Sequence, residues 1–363
     1  MVIMATFAAQ KNYISVLMME EKKELILNAL KDVLYFPKGS DIISLNMVRN
    51  LTVDGHQVSF TIVFPKQDDK SKPALQKLSE SAIRNQVDPE ANVTIDYITD
   101  FPSLSGVKHI IAIGSGKGGV GKSTIAANLA VALSKIGNKV GILDADIYGP
   151  SIPIMFDVAD AKPMLDPNAE NGKIIPVENY GIKIQSIGFF VEPQQALIWR
   201  GPMASNALNQ LFNDTHWGEL DYLVVDLPPG TGDIHLTLVQ QYPVDGIAIV
   251  STPQQVALAD AKKAFSMFNQ DKIRVRILGL IENMSYFTPA ELPDNKYYLF
   301  GKQGGRKLAD NERVNLLAEI PLVQGICESG DSGSPIALDE NSPVYKAFMN
   351  LAVNIQAIVE HNN

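Results

Sequence analysis

The chain has 363 residues, of which 46% are hydrophobic, enough to build the buried cores of two domains. Its formal net charge of -9 argues against a broad nucleic-acid-binding face, and its single cysteine, Cys327, excludes an intrachain disulfide framework. No apolar stretch approaches the ~20 residues that span a bilayer. Residues 1–19 lack the basic start and cleavage site of a signal peptide, so we expect an N-terminal extension, with Met18 or Met19 as an alternative start, and a cytoplasmic location.

Residues 20–100 have the pattern of a small α+β domain. Apolar residues recur at helical spacing from Leu25 to Val33, and the Asp54-Gly55 dipeptide predicts the turn of a hairpin further on. The predicted elements are a helix over 25–33, strands over 41–50 and 57–64, a helix over 73–86 and a strand over 93–98.

The rest of the chain, after a linker predicted at residues 101–106, alternates strands with helices. This alternation predicts a mostly parallel sheet with helices on both faces, in a domain over residues 107–363. The predicted strands lie at 107–113, 139–143, 220–225, 246–250 and 275–281, and the clearest helices at 125–136 and 254–268. In open sheets of this kind ligands bind beyond the carboxyl ends of the strands, so the residues after each strand are the candidates for a site.

The first strand of this domain leads into a glycine-rich stretch that contains the pattern G-x-x-x-x-G-K-[ST] from Gly116 to Ser123. Glycines let successive N–H groups point into one concavity, and the following helix adds its positive dipole end, so we expect a nucleotide's phosphates there. Lys122 is predicted to reach the β- and γ-phosphates, Ser123 to ligate Mg²⁺ and Thr124 to contact the α-phosphate. The nucleotide-binding residues predicted in this loop are Gly116, Lys117, Gly118, Gly119, Val120, Gly121, Lys122, Ser123 and Thr124.

Three other strand ends carry polar side chains. Asp226 is the candidate for holding Mg²⁺, although an aspartate there can also cap a turn, and Gly230 after it can present its N–H to a γ-phosphate. Asp144 and Asp146 lie two residues apart. One can support the Mg²⁺ while the other positions or deprotonates the attacking water, or one only caps the following turn. Asn283 offers a donor and an acceptor to an adenine edge, but an asparagine after a strand is often a turn former.

The run from Lys117 to Ser123, K-G-G-V-G-K-S, resembles the deviant Walker A loop of the MinD/ParA/Mrp class of ATPases. In that class the extra lysine reaches across a homodimer to the partner's nucleotide. The resemblance therefore implies nucleotide-dependent homodimers with Lys117, Lys122 and Asp146 as catalytic residues, and the alternative for Lys117 is a solvated loop lysine. The resemblance also implies that Asp146 acts on the water with Asp144 nearer the metal, and that Asn283 reads the base.

Further motifs look like the Mrp/ApbC family within that class, over about residues 108–359. They are L-D-A-D-I-Y-G-P-S at Leu143–Ser151, W-R-G-P-M at Trp199–Met203, the switch from Asp226 to Asp233, and E-N-M-S at Glu282–Ser285. The resemblance implies a doubly wound P-loop NTPase that hydrolyses ATP with Mg²⁺, carries an iron-sulfur cluster and delivers it to apoproteins. The segment Asp41–Leu51 resembles the MIP18-like domain (DUF59), and we interpret the small domain as a docking domain without chemistry of its own.

Members of that family usually have Cys-x-x-Cys shortly after the E-N-M-S segment, and this chain has no cysteine there. Two such pairs across a dimer supply four thiolates to one cluster, whereas a dimer of this chain offers only the two Cys327 thiols. Histidine or carboxylate ligands, or a labile bridging cluster, would have to complete the number, but the five histidines show no metal-ligand spacing. Most isolated cysteines are small buried hydrophobes, and we predict this for Cys327.

Two alternative functions follow from the same residues. The first is an ATP-switched dimeric module that recruits a partner protein without cluster chemistry. The second is membrane or nucleoid positioning, as in MinD or ParA, through the C-terminal helix. Its apolar stripe consists of Phe348, Leu351, Ile355, Ile358 and Val359. Because no lysine or arginine follows Lys346 to meet anionic lipid, the stripe predicts core packing, and we expect neither a membrane nor a nucleic acid as partner.

Overall fold

The computed structural model describes residues 22–45, 47–64, 69–99, 104, 106–167, 172–191, 201–232, 235, 238, 242–270, 275–289, 291–292 and 295–360. The predicted extension over 1–19, and also Trp199, Arg200 and Asp233 of the family motifs, lie outside these residues. The chain divides into two compact units, Met1–Pro102 and Ser103–Asn363.

The first unit combines two helices with a three-stranded sheet and a short strand pair. Its helices are α1 over residues 22–30 and α2 (Lys72–Gln86), and its strands are β1 (Leu34–Tyr35), β2 (Ser40–Asp41), β3 (Val48–Asp54), β4 (Gln57–Phe64) and β5 (Asn92–Thr99). β1 pairs antiparallel with β2, β3 and β4 form an antiparallel hairpin, and β5 lies parallel to β4. The predicted small α+β domain is therefore confirmed.

The strand predicted over residues 41–50 is wrong in its first half. Asp41 ends β2, and its Oδ1 accepts hydrogen bonds from the backbone N–H groups of Ile43 at 3.0 Å and Ser44 at 2.7 Å. These bonds close a turn over residues 42–45, and β3 begins only at Val48. Aspartate competes with strand pairing in this way, and the apolar residues around Asp41 conceal that competition in the sequence.

The second unit is built around a large sheet. Its strands are β6 (Val107–Ser115), β7 (Val140–Asp144), β10 (Val177–Asn179), β11 (Ile182–Ser186), β12 (Leu220–Asp226), β13 (Gly246–Ser251), β14 (Ile277–Phe287) and β15 (Leu316–Leu322), while β8 (Met164–Leu165) and β9 (Ile174–Ile175) form a separate pair. The eight strands have the order β10-β11-β7-β12-β6-β13-β14-β15, and only β10 runs antiparallel to its neighbour. This confirms the predicted mostly parallel sheet.

Helices cover this sheet. They are α3 (Lys122–Lys135), α4 (Ile152–Met155), α5 (Gly201–Asn213), α6 (Gln255–Phe268), α7 (Gly304–Glu312), α8 (Gln324–Asp331) and α9 (Tyr345–Glu360). α3 packs against β6, β7, β12 and α9, and α9 buries Phe348, Leu351, Ile355 and Val359 in the same core. The apolar stripe of α9 is thus core packing, as predicted. Among the residues that the structure describes, none of the helices has the length and apolar character that crossing a bilayer requires.

Candidate nucleotide site

The phosphate loop joins the end of β6 at Ser115 to the start of α3 at Lys122. Gly119 and Gly121 have φ angles of 79° and 83°, in the left-handed region that glycine adopts without strain. Gly116 is needed for a different reason, because a Cβ atom there would overlap the carbonyl oxygen of Asp260 in α6. The strand, tight turn and helix predicted from the glycine spacing are therefore all present.

Lys122 is the buried cation of this loop, with 6% of its surface exposed. Its Nζ donates to Asp226 Oδ1 at 2.5 Å and to the Ser123 hydroxyl at 3.2 Å. The same Nζ lies 3.5 Å from Asp146 Oδ2. The ends of β12 and β7 thus meet the phosphate loop at one lysine, which brings together four of the residues singled out in the sequence.

The acidic groups behind the loop are strongly affected by burial. Asp226 is completely buried, and this burial raises the pKa of its carboxyl although the neighbouring Lys122 opposes the rise. Burial, followed by the nearby charge of Asp226, raises the pKa of Asp144 to about 7. The single positive charge of Lys122 balances only part of the negative charge of these buried carboxylates. The site is therefore suited to bind a further cation.

Asp144 differs from its neighbours because donors of the chain itself occupy both of its oxygens. Oδ1 accepts the Asp146 N–H at 3.2 Å, and Oδ2 accepts the N–H groups of Ser151 and Ile152, each at 3.1 Å, and the Ser186 hydroxyl at 3.0 Å. These bonds fix the turn between β7 and α4, which is the capping role that the sequence left open for one of the pair. The geometry disfavours the expectation that Asp144 lies nearer a metal than Asp146.

The predicted Mg²⁺ can be tested against the oxygen atoms of the site. Among the described residues, Asp226 Oδ2 and Asp146 Oδ1 are buried and accept no hydrogen bond. A buried carboxylate oxygen without a donor is unfavourable unless a cation completes it. Asp226 Oδ2 and the Ser123 hydroxyl form an all-oxygen donor pair, which is the kind that Mg²⁺ prefers, and Asp146 Oδ1 can accept from a water molecule beside the ion. The residues present therefore fit the ion.

Gly230 contacts the end of β6, and Asn283 contacts the phosphate loop. The Gly230 N–H donates to the Ser115 carbonyl at 2.9 Å, so in this structure it is bonded to the end of β6. Asn283 is buried, and its Nδ2 donates to the Val120 carbonyl at 2.8 Å. A Cβ atom on Gly121 would overlap that same Nδ2. Asn283 is thus placed directly beneath the loop rather than at a solvent-exposed turn.

The remaining loop residues are more open. Lys117 is exposed together with Gly118 and Gly119, and the Lys117 carbonyl accepts the Ser115 hydroxyl at 3.0 Å. An exposed lysine at this position is compatible both with the role implied by the family resemblance and with a solvated side chain. Thr124 lies half-buried in the first turn of α3.

Three buried polar residues near the site were given no role by the sequence analysis. Ser186 donates to Asp144, Glu282 accepts the Gly305 N–H, and the ring of His235 lies against the loop that follows Asp226. A Cβ atom on Gly305 would overlap the Glu282 carboxylate, so the adjacent glycines 304 and 305 were an available signal for that contact. Nothing comparable in the sequence pairs Ser186 with Asp144.

Cys327 is exposed on α8, which corrects the prediction that it is a small buried hydrophobe. Val323 and Ile326 pack against the core, and the next helical position turns about 100° away from that face. The Sγ atom lies 3.7 Å from Asp331 Oδ2.

Two family models match the chain. The model described as the NUBPL iron-transfer P-loop NTPase, of the ParA type, matches residues 106–356. The chain belongs to this family. A second model, described as an iron-sulfur cluster assembly protein, matches residues 23–96. The first match covers the sheet and the nucleotide site of this NUBPL-type NTPase, and the second covers its small N-terminal unit.

Relatives of this NUBPL-type NTPase agree with the match. An iron-sulfur cluster carrier protein of Synechocystis is 42% identical over 342 residues, which are 92% of this chain and 96% of that protein. An iron-sulfur cluster carrier protein of Aquifex aeolicus is 50% identical over 260 residues, 71% of this chain and 70% of that protein. A nucleotide-binding protein of Archaeoglobus fulgidus, solved with ADP, is 38% identical with a TM-score of 0.57 and covers 66% of this chain and 92% of that one. The predicted family and P-loop NTPase fold are confirmed.

Proposed function

We propose that this NUBPL-type NTPase binds and hydrolyses ATP with Mg²⁺ and carries iron-sulfur clusters to apoproteins in the cytoplasm. The observation that carries the ATPase part is the convergence of Lys122, Asp226 and Asp146 behind the phosphate loop. The carrier part is supported by relatives that match over most of the chain and are named iron-sulfur cluster carrier proteins.

In this proposal the backbone N–H groups from Gly116 to Gly121 hold the phosphates. Lys122 leaves Asp226 and binds the β- and γ-phosphates, whose charge attracts it more strongly than one carboxylate does. Ser123 and Asp226 hold the Mg²⁺, and Thr124 contacts the α-phosphate. The ion, when bound, neutralises charge that develops on the phosphates.

Asp146 is proposed to orient the attacking water, because its Oδ1 is buried and accepts no hydrogen bond from the described residues. Asp144 supports it indirectly by fixing the turn on which Asp146 lies, and accepts the Asp146 N–H. The Gly230 N–H would exchange the Ser115 carbonyl for the γ-phosphate. Asn283 would contact the adenine edge from its position under the loop.

The exposed Lys117 is proposed to act across a nucleotide-dependent homodimer. Lys117→Ala should then impair ATP hydrolysis and ATP-dependent dimerisation while some ATP binding remains. Analytical ultracentrifugation with and without ATP measures the dimer, and Lys307→Ala, which removes an exposed lysine of α7, is the matched control. Unchanged dimerisation and turnover in Lys117→Ala would refute the role across the dimer.

An iron-sulfur cluster would have few protein ligands in a single chain. Within the described ranges no three His, Cys, Asp or Glu side chains are grouped so that they could hold a metal ion, and the chain's one cysteine is exposed. We infer that any cluster is held between two chains, with the Cys327 thiol of each as a ligand. Such a cluster would be labile, which suits transfer.

Reconstitution tests this directly. The purified protein and its Cys327→Ala variant are incubated with iron and sulfide without oxygen, and bound iron, bound sulfide and the visible spectrum are measured per chain. A stoichiometric cluster that is lost in the variant and can be transferred to an apoprotein supports the carrier function. The absence of a cluster beside intact ATPase activity supports the alternative, an ATP-switched protein-binding module, which the missing Cys-x-x-Cys favours.

A further inference from the structure

The loop after Asp226 is closed across its base by a buried histidine. His235 has 2% of its surface exposed, and both of its ring nitrogens face carbonyl oxygens of this loop. Nε2 lies 2.8 Å from the Pro228 carbonyl oxygen and Nδ1 lies 3.3 Å from that of Gly232. Residues 227–232 are called the switch loop below, and the imidazole ring lies between the two ends of this loop.

Backbone bonds attach the switch loop to β6. The Leu227 N–H donates to the Ile113 carbonyl at 3.0 Å, and the Gly230 N–H donates to the Ser115 carbonyl at 2.9 Å. Thr231 and Gly232 are exposed. If Gly230 is to contact a phosphate, its bond to Ser115 must break, and the shape of the loop at that moment depends on whatever still holds its ends.

The chemistry of the ring decides which bond it makes. Burial lowers the pKa of His235, so the ring is neutral at neutral pH and has a single N–H. The shorter contact assigns that N–H to Nε2, which donates to the Pro228 carbonyl. The Gly232 carbonyl already accepts the backbone N–H of His235 at 3.1 Å. One side-chain hydrogen bond, from Nε2 to Pro228, therefore holds the first half of the loop.

The ring is itself held in place by α6. Phe268 of α6 meets it edge to face, with ring centroids 6.4 Å apart. The same helix contacts the phosphate loop, because its backbone at Asp260 leaves no room for a Cβ atom on Gly116. α6 therefore contacts both the His235 ring and the phosphate loop.

We propose that His235 is a positioning residue for ATP hydrolysis, and that its Nε2–H···O=C bond to Pro228 keeps the switch loop in the shape that presents the Gly230 N–H to the γ-phosphate. The inference deepens the proposed function, on which its kinetic part rests. A pre-formed loop does not have to be ordered at the moment of reaction, so loss of the bond lowers kcat and leaves the KM for ATP nearly unchanged.

A matched pair of variants isolates the donor. The amide of His235→Gln reaches a similar distance and keeps an N–H for Pro228, whereas His235→Met has a similar length and no donor. We expect His235→Met to lower kcat about tenfold, as expected for one lost hydrogen bond. Hydrogen exchange of the Leu227 and Gly230 amides, the two amides of the switch loop that donate to β6, should become faster by the same factor. His235→Gln should stay within about threefold of the wild type in both measurements.

Hydrogen exchange separates this proposal from the ATPase proposal. A wild-type protein that hydrolyses no ATP overturns the proposed function, and the exchange rates alone then decide the role of His235. Unchanged exchange in His235→Met overturns the proposal, and so does His235→Gln exchanging as fast as His235→Met. Amides of β15, measured in the same experiment, must exchange alike in all three proteins, which excludes a global loss of stability.

Discussion

The pKa values of buried aspartates are shifted in opposite directions in the two units of the chain. In the N-terminal unit, Asp88 lies 2.6 Å from Lys22 Nζ and 2.8 Å from His56 Nδ1, and the hydrogen bond from Lys22 contributes most to lowering the pKa of Asp88 to about 2. In the second unit, Asp144 and Asp226 are completely buried, and burial raises the pKa of both.

The difference separates carboxylates that support the fold from those that await a ligand. Asp88 is paired on several sides, and Lys22 also donates to the Gly55 carbonyl at 2.8 Å, so this network attaches α1 to the β3–β4 turn. Asp226 shares Lys122 with Asp146, and each of the two aspartates has one buried oxygen without a donor among the described residues. Such incomplete pairing destabilises a fold and is typical of functional sites.

Removal of the shared cation should have the largest effect. We expect Lys122→Ala to lower kcat for ATP hydrolysis by at least about 100-fold, because the phosphates lose their charged donor and the two aspartates lose their cation. The measurement is phosphate release at saturating ATP. Lys135→Ala is the control, since that lysine lies at the other end of α3, where it pairs with the exposed Glu340 at 3.0 Å and lies 5.5 Å from the centre of the Tyr345 ring. Turnover preserved in Lys122→Ala would remove the phosphate-loop argument.

The two aspartates after β7 should respond differently to the same substitution. Asp146→Asn should lower kcat by about 100-fold and change ATP affinity little, since a neutral amide orients water poorly. Asp144→Asn should mainly lower the melting temperature, because in either orientation its NH₂ faces an N–H donor, that of Asp146 at the Oδ1 position or those of Ser151 and Ile152 at the Oδ2 position. An effect of Asp146→Asn confined to affinity would reassign that residue.

The parts of this site that could be predicted from the sequence are local in the chain. Gly116 to Ser123 are contiguous, and Asp226 directly follows an apolar strand, so spacing alone placed them on the correct elements. Contacts between distant segments were not predictable. The hydrogen bond from Ser186 to Asp144 joins residues whose sequence neighbours do not indicate that they pair. β10 and β11 are short strands of mixed polarity, and neither contains an apolar run by which it could be predicted.

The exposure of Cys327 was missed for a related reason. Cysteine is buried more often than not, and the residues around it, such as Ile326, are apolar. Whether Cys327 is buried depends on which face of α8 packs against the core. The sequence of so short a helix does not show which face that is.

A third buried carboxylate extends the comparison to pH. Burial raises the pKa of Glu282 above 4.5, although the Gly305 N–H opposes the rise. Its contribution to stability is therefore full below pH 4.5 and is lost as the pH rises through the higher folded-state pKa. Glu282→Gln keeps an acceptor for Gly305 without the charge, so its melting temperature should fall less than that of the wild type as the pH rises above 4.5. Parallel curves for the two proteins would show that Glu282 does not titrate in this way.

The smallest effect, and one of opposite sign, is expected for Asp88, because Lys22 is partly exposed and solvent weakens the pair. The folded-state pKa of Asp88 is about 2, below the ordinary 3.8, so its contribution is full above pH 3.8 and is lost as the pH falls through about 2. Asp88→Asn should make the N-terminal unit less stable near neutral pH and flatten its further loss of stability on acidification.

Urea unfolding followed by NMR signals of the buried Phe60 reports on this unit alone. Lys22→Gln should flatten the same curve, and an acid response in both variants as steep as in the wild type would contradict the pairing of Asp88 as the source of the pH dependence.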